Sequence, residues 1–142
     1  MATVTSETAL NAAIVAADDA AADTGAMTID ITAGFSLTTA LEAINLKAGN
    51  SLTIAGTNAG GAKSQTLDGG HAQRGLFVYA GTVTIENLAL NDMTAEGGDG
   101  GNGSGGRGGG GGGAGLGGAL FVAGVSDGVG GVNVTLDNVT FN

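Results

Sequence analysis

The fold is indicated by an eight-residue pattern that occurs twice, as TIENLALN at Thr84–Asn91 and as TLDNVTFN at Thr135–Asn142. At each position the two copies carry the same kind of residue: Thr, aliphatic, acid, Asn, aliphatic, variable, large apolar, Asn. A shorter run, Leu-Phe-Val, precedes each copy, at Leu76–Val78 and Leu120–Val122. Self-similarity of this kind indicates stacked repeats, in which each repeat covers the apolar face of its neighbour.

Short apolar runs fill the chain after Gly25, and most of them end at Gly, Asn or Asp, which tolerate positive φ and turn the chain. Leu41–Leu46 fits either a strand or a short helical turn. Three short strands joined by sharp corners would form one triangular coil, with the next coil stacked in register about 4.8 Å away. The sequence therefore predicts an all-β fold, a parallel β-helix or β-solenoid. The predicted strands are Met27–Thr32, Phe35–Thr39, Ser51–Ala55, Gln65–Leu67, Leu76–Tyr79, Thr82–Ile85, Leu88–Leu90, Leu120–Val122, Val132–Leu136 and Val139–Phe141.

The segment from Ser6 to about Ala22 is the one convincing helix. Its apolar residues recur at helical spacing and form one narrow stripe: Leu10, Ala13, Ile14 and Ala17. Ser6 suits the N-cap, Glu7 suits the first turn, and Gly25 suits the stop. Such a stripe fits either an ordinary surface helix or a cap over the first coil, and we favour the N-terminal cap.

The composition excludes several classes of protein. Aromatic residues make up 4% of the 142 residues, and Gly numbers 30, which suits thin layers of small side chains better than a compact sandwich. Pro is absent, as expected where most strands lie between two neighbours. The absence of Cys excludes a disulfide scaffold and a thiolate metal site.

The charge is acidic, with 13 Asp and Glu against 4 Lys and Arg and a net charge of −9. The cations Lys47, Lys63, Arg74 and Arg107 are scattered, so neither nucleic acid nor an anionic membrane is an expected partner. No stretch approaches the length of a membrane span, so no direct membrane insertion is expected. The first residues lack the features of a signal peptide, so we expect that a leader and any membrane anchor are absent from this chain.

Low complexity is confined to residues 97–118, where 16 of 22 positions are Gly. We interpret this Gly-rich stretch as an insertion at a corner, between first coils at 26–96 and a last coil at 119–142, all within a single domain, residues 1–142. Such an insertion is either a flexible tether or a set of packed polyproline-II-like strands. Its polar residues Asp99, Asn102 and Arg107 are candidates for contact with a partner.

Several stretches together resemble a known family. They are Thr66–Gly70, Gly75–Val78, Val83–Leu88, Gly117–Phe121 and Val134–Phe141. The chain resembles the pectin-lyase-like right-handed β-helix of bacterial surface proteins, and is most similar to the passenger domains of autotransporter adhesins and polymorphic outer-membrane proteins. The resemblance implies a location outside the cell or at the bacterial surface. Because passengers are usually several times longer, it also implies that the chain is cut from a longer passenger.

Carbohydrate-cleaving members of this fold use paired carboxylates, or Asp with Arg or Lys, on one face. Asp68, Glu86 and Asp137 follow apolar strand residues and could project outward on successive coils. Their expected role is solvation of corners, and Asp68-Gly69 also fits a turn. We therefore predict no catalytic site and no enzyme.

The remaining polar motifs are weak as well. His71, the single histidine, is expected to be an exposed loop residue, with Ser64 and Asp68 as the nearest candidates for a triad. The Gly-rich stretch lacks the repeated Asp of calcium-binding nonapeptides, so no metal and no cofactor are predicted. Asn87 and Asn138 fall at equivalent corners, where stacked Asn side chains are expected to have a structural role.

The leading hypothesis is a non-enzymatic structural or adhesive surface module whose receptor is a protein or a glycan. A homo-oligomer formed through an open C-terminal coil is also expected. One alternative is a fragment of a carbohydrate-active β-helix enzyme. A further alternative is an ice-binding or self-assembling fibre protein, because Thr28, Thr53, Thr84 and Thr135 would form an outward row on stacked coils, although each stands alone in its strand.

Overall fold

A computed structural model describes residues 1–57, 65–98, 114–123 and 131–142, and these residues form one helix and ten strands. Every strand pair among them is parallel, which confirms the all-β prediction at the level of a mostly parallel sheet structure with one short helix. The elements are β1 (Ala2–Val4), α1 (Glu7–Asp19), β2 (Ala26–Ile31), β3 (Phe35–Ser36), β4 (Ala43–Asn45), β5 (Ser51–Gly56), β6 (Gln65–Asp68), β7 (Leu76–Ala80), β8 (Thr82–Asn91), β9 (Leu120–Val122) and β10 (Asn133–Phe141).

The strands form two sheets. A seven-stranded sheet has the order β1-β2-β5-β8-β6-β3, with β10 also paired to β8, and a three-stranded sheet has the order β4-β7-β9. The first half of β8 pairs with β5 and its second half pairs with β6, whereas β10 pairs with both halves of β8. The parallel strands therefore lie in three rows: β1-β2-β5-β8-β10, β3-β6-β8-β10 and β4-β7-β9.

Asn87 and Asn138 turn the two long strands from one row into the next. Their φ angles are 54° and 51°, in the left-handed region that Asn tolerates better than most residues. The segments predicted as separate strands at Thr82–Ile85 and Leu88–Leu90 are consequently one strand with a corner. Because each corner adds one residue to the alternation, apolar side chains point into the core both before and after the corner.

The core consists of aliphatic side chains stacked in register. Ile29 pairs with Ile54 and Ile54 with Ile85, and all three are buried. Leu52 and Val83 form a parallel column beside them and are also buried. Alternation along each strand sends every second side chain inward, so a single layer of small aliphatic residues fills the space between the rows.

Helix α1 confirms the predicted N-cap and apolar stripe, but it ends earlier than predicted. The Ser6 side chain accepts a hydrogen bond from the Ala9 N–H at 3.3 Å, and the buried residues of α1 are Leu10, Ile14 and Ala17. The predicted end near Ala22 is wrong, because the chain already leaves the helix at Ala20 and takes a positive φ at Asp23. The helix packs against β1, β2 and β4.

Glu7 fastens α1 to the loop after β3. Its Oε2 accepts hydrogen bonds from Thr38 N and Oγ1 at 2.7 and 2.8 Å, and its Oε1 accepts from the Thr39 hydroxyl and from Thr39 N at 2.9 Å. These bonds, led by that from the Thr39 hydroxyl, outweigh burial and lower the pKa of Glu7 from 4.5 to about 2. The predicted strand Phe35–Thr39 therefore stops at Ser36, since both threonines are bound to the helix.

The described residues also bear on the segment Leu41–Leu46 and on the first strand, and they leave the Gly-rich stretch open. The ambiguous segment Leu41–Leu46 contains a strand, β4, rather than a helical turn. The first strand, β1, was not predicted at all. The interpretation of the Gly-rich stretch as tether or packed strands, and with it Asp99, Asn102 and Arg107, lies outside the described residues, which resume at 114. Within the described part of the chain, no helix has both the length and the apolar character needed to cross a membrane.

Candidate binding groove and outer polar rows

A groove of about 440 Å³ opens beside β7 and β9. We call it the aromatic groove, since its lining includes Phe77 of β7 and Phe121 of β9. The turn before β7 contributes Gln73 and Arg74, and the segment after β8 contributes Glu96. This volume lies in the range of sites for small ligands, and apolar walls with a few polar groups are typical of such sites.

The aromatic side chains reach the surface because of the alternation in β7. Leu76, Val78 and Ala80 are buried, so Phe77 and Tyr79 point to the other side of the sheet, and Tyr79 is 46% exposed. Parallel pairing places Phe77 beside Phe121, with ring centroids 5.1 Å apart at 67°, and the Tyr79 ring lies 6.4 Å from Phe77 at 89°. These edge-to-face arrangements are the favoured ones for aromatic pairs.

Arg74 lies over this aromatic cluster. Its guanidinium carbon is 5.3 Å from the centroid of the Phe77 ring, which is within cation–π distance. Among the described residues no carboxylate forms an ion pair with Arg74. The Arg74 guanidinium therefore lies against the Phe77 ring at the wall of the aromatic groove.

One side-chain and one backbone hydrogen bond of Gln73 fix the turn that carries Arg74. The Gln73 amide Nε2 donates to the Thr38 carbonyl at 3.2 Å, and the Gln73 carbonyl accepts from Thr94 N at 2.9 Å. Thr38 is itself bound by Glu7, so the helix, the loop after β3 and the groove wall form one connected chain of hydrogen bonds. The groove is thus held by elements distant in sequence.

The carboxylates singled out in the sequence are only partly brought together. Glu86 and Asp137 are register partners on β8 and β10, whereas Asp68 pairs with Asn91 in another row. Asp68 accepts a hydrogen bond from Gly70 N at 2.8 Å, which confirms its predicted turn role. None of the three lines the aromatic groove.

His71 is an exposed turn residue, as predicted. Its side chain is 79% exposed, its φ is 57°, and its Nδ1 lies 3.5 Å from an Asp92 carboxylate oxygen. Ser64, its other candidate partner, lies outside the described residues. Across the ranges that the structure describes, no cluster of three His, Cys, Asp or Glu has the arrangement needed to hold a metal ion.

Two pairs of asparagines, one at the corners and one at the strand ends, form hydrogen bonds between β8 and β10. Asn138 Nδ2 donates to Asn87 Oδ1 at 2.8 Å, and Asn142 Nδ2 donates to Asn91 Oδ1 at 2.9 Å. Each pair lies on adjacent parallel strands at the equivalent position of the eight-residue pattern. The two side-chain bonds therefore match and support the register of β10 on β8.

The outward threonines form a row across the first row of strands. Thr28 pairs with Thr53, Thr53 with Thr84, and Thr84 with Thr135, so the four lie in one row across neighbouring strands. The prediction that each stands alone in its strand holds for Thr28 and Thr53 but is wrong for the other two, because β8 also contains Thr82 and β10 also contains Thr140. Parallel pairing in register aligns all four, and all are partly or fully exposed. The row is flanked two residues earlier by Ala26, Ser51, Thr82 and Asn133.

Sequence reasoning missed the aromatic groove. The available signal was the middle residue of the two Leu-Phe-Val runs, since alternation makes Phe the outward residue whenever Leu and Val are inward.

Comparison of the chain with protein-family models, with curated proteins and with solved structures finds no match in any of the three.

Proposed function

We propose that the chain is a right-handed parallel β-helix that serves as a non-enzymatic, structural and adhesive module at the bacterial cell surface. The observation that carries the proposal is the return of the chain to the same three rows in the same order. Along the chain β2, β3 and β4 are followed by β5, β6 and β7. In this second round β5 pairs with β2, β6 pairs with β3, and β7 pairs with β4. Three rows visited in rotation correspond to the faces of a triangular solenoid.

The adhesive part of the proposal rests on the aromatic groove. Partly exposed aromatic rings with an Arg side chain beside them are typical of contact surfaces, since they combine apolar area with directional donors. Phe77, Phe121 and Arg74 supply these features in one place. A protein or glycan receptor with an apolar face and acceptor groups fits this chemistry.

The groove favours binding over hydrolysis. Glycoside hydrolysis needs two carboxyl groups on opposite sides of the scissile bond. Among the described residues that line the groove, Glu96 is the one carboxylate. A fragment of a carbohydrate-active enzyme is therefore the weaker alternative, and turnover of any polysaccharide by the chain would favour it.

The adhesive role is tested with immobilised glycans and host-cell surfaces. Arg74→Gln and Phe121→Ser are expected to reduce retention of the chain strongly, whereas Lys47→Gln, which removes a cation outside the groove, is expected to leave it unchanged. Circular dichroism must show the same β spectrum for all variants. Equal retention of Arg74→Gln, Phe121→Ser and the unaltered chain would refute the groove as the contact surface.

The threonine row favours ice binding as a second candidate function. Threonines repeated at the strand spacing of about 4.8 Å form a regular array of hydroxyl and methyl groups on one sheet. If this array orders water, the chain causes thermal hysteresis, and Thr53→Tyr abolishes it by raising a bulky ring above the row. Absence of hysteresis at high protein concentration would remove this candidate and leave the adhesive proposal untouched.

A further inference from the structure

We propose that Glu7 of α1 is a positioning residue for the aromatic groove: it holds residues 38–40 and, through Gln73, the turn that carries Arg74. Glu7 itself does not line the groove. Its effect on ligand retention rests on the adhesive function proposed above. The coupling between Glu7 and the groove wall is a property of the folded chain, and it can be measured without a ligand.

The aromatic groove is lined by two kinds of segment. Phe77 and Phe121 belong to β7 and β9, and the pairing of these parallel strands fixes their positions. Ala40, Gln73 and Arg74 also line the groove, but they lie outside the strands. The positions of these three residues therefore depend on hydrogen bonds made by loops and turns.

Residues 38–40, which we call the groove loop, are held by Glu7. The groove loop lies between two buried leucines, and all three of its residues are exposed. The backbone N–H and the hydroxyl of both Thr38 and Thr39 donate to the two carboxylate oxygens of Glu7. Because Ala40 directly follows Thr39, the same carboxylate fixes a residue of the groove lining.

A second link joins the groove loop to the turn before β7. The Thr38 carbonyl accepts a hydrogen bond from Gln73 Nε2 at 3.2 Å. The Gln73 backbone is held in turn, since its N–H donates to the Gly69 carbonyl at 2.9 Å and its carbonyl accepts from Thr94 N at 2.9 Å. Arg74 is the next residue, so a displacement of Thr38 reaches Arg74 through Gln73.

The carboxylate of Glu7 is suited to this role because it accepts from four donors at once. An ionised carboxylate has about four acceptor sites on two oxygens, whereas the amide of Gln has one acceptor oxygen and an NH₂ group that cannot accept. The bond from the Thr39 hydroxyl is the main cause that lowers the pKa of Glu7 to about 2, so Glu7 is ionised at neutral pH. Glu7→Gln therefore leaves about two of the four donors without an acceptor.

Asn11 provides a matched control on the next turn of α1. Its Oδ1 accepts a hydrogen bond from Glu42 N at 2.9 Å, so it also joins α1 to the segment between β3 and β4. Glu42 lies two residues beyond the groove loop, and the Glu42 N–H is not part of the link to Gln73. Asn11→Ala therefore weakens the attachment of the helix without acting on the groove wall.

Amide hydrogen exchange of the full chain at pH 7, without ligand, measures the coupling. In Glu7→Gln, exchange of the Gln73 and Thr94 amides is expected to become about threefold to tenfold faster, relative to the amides of β5, which report the stability of the core. Asn11→Ala should leave this ratio unchanged. An unchanged ratio in Glu7→Gln, or an equal increase in Asn11→Ala, would overturn the proposal.

A double-variant cycle tests the route through Gln73. Gln73→Met keeps the length of the side chain but removes the donor to the Thr38 carbonyl. In the Gln73→Met background, Glu7→Gln is therefore expected to cause no further acceleration of exchange at the Thr94 amide. The same acceleration in both backgrounds would show that Glu7 does not act through Gln73, and this result would also overturn the proposal.

Retention on immobilised glycans and host-cell surfaces separates the positioning role from the adhesive function. Glu7→Gln is expected to weaken retention about threefold or more, although it changes no residue of the groove lining, while Asn11→Ala should be retained like the unaltered chain. Weak retention of Arg74→Gln together with full retention of Glu7→Gln would overturn the positioning role and leave the adhesive function standing. If the unaltered chain itself is not retained, the adhesive function fails, and the exchange ratio alone decides whether Glu7 holds the groove wall.

Discussion

Replacement of Ile85 by Asp tests the register of the whole core. Ile85 lies at the centre of β8, is 0% exposed, and pairs with Ile54 on one side and Leu136 on the other. The adjacent Thr84 points outward in the threonine row. Because side chains alternate along a strand, an error of one residue in the register would exchange the environments of these two positions.

The size of the effect follows from two contributions. Loss of the buried Ile side chain removes about 2–3 kcal/mol of apolar stabilisation. An Asp at this position must also remain protonated in the folded state, and at pH 7 that costs about 4 kcal/mol relative to an ordinary Asp with a pKa near 3.9. The sum of about 6 kcal/mol matches the whole stability of many domains of this size. We therefore expect Ile85→Asp to be largely unfolded at pH 7.

The pH dependence separates the two contributions. Since burial raises the pKa of the introduced Asp in the folded state, its penalty is present above the unfolded pKa and decreases as the pH falls toward about 4. Urea unfolding of Ile85→Asp and of the unaltered chain at pH 4 and pH 7 should show a loss that is about 4 kcal/mol smaller at the lower pH. Thr84→Asp is the matched control, with an expected loss below about 1 kcal/mol at either pH. Equal losses for the two variants would refute the assigned register.

Three further changes probe the N-terminal region. Glu7→Gln is expected to lower the unfolding free energy at pH 7 by about 1 kcal/mol after allowance for solvent exposure. The difference in unfolding free energy between variant and unaltered chain should disappear as the pH falls from 4.5 toward 2, because Glu7 loses its stabilising contribution when it is protonated. Urea titrations that show the same difference at every pH would contradict this. Asp18→Asn is expected to melt at the same or a slightly higher temperature at pH 7, because burial raises the pKa of Asp18 while an amide oxygen can still accept the 2.9 Å bond from Asn45 N; a clear decrease in melting temperature would contradict it. Asn50→Ala is expected to lose about 1–3 kcal/mol in chemical unfolding, because the buried Asn50 amide accepts from Gly25 N and donates to the Ala21 carbonyl. Asn50→Asp keeps the acceptor oxygen, so an Asn50→Asp variant as stable as the unaltered chain would show that the acceptor alone matters.

The repeated pattern predicted much of the strand structure because register in parallel strands is a local property of the sequence. The same octapeptide must face the same neighbours, so Thr84–Leu90 pairs in register with Thr135–Phe141. The first strand was not predicted because three residues carry too little periodicity. Its pairing with Ile29–Ile31 is a long-range contact that no local pattern reveals.

The helix boundary and the groove escaped prediction for different reasons. The alanines after Asp19 continue the helical pattern of the sequence. The chain nevertheless leaves the helix at Ala20, and the Asn50 side chain donates a hydrogen bond to the Ala21 carbonyl. The groove is assembled from the turn before β7, the segment after β8 and β9, which are far apart in sequence. Of the groove lining, only Phe77 and Phe121 could have been predicted from the sequence, because strand alternation places them outward.

The two candidate functions occupy separate sheets, and this separation makes them independently testable. The aromatic groove lies along β7 and β9, whereas the threonine row lies on β2, β5, β8 and β10. Inward positions are restricted to aliphatic residues by close packing, but outward positions carry no such restriction, so surface changes there have small effects on stability. Because Arg74 lies before β7 and Thr53 lies on β5 in the other sheet, their substitutions should act additively. A double variant that loses both ligand retention and thermal hysteresis, while each single variant loses one, would assign one function to each sheet.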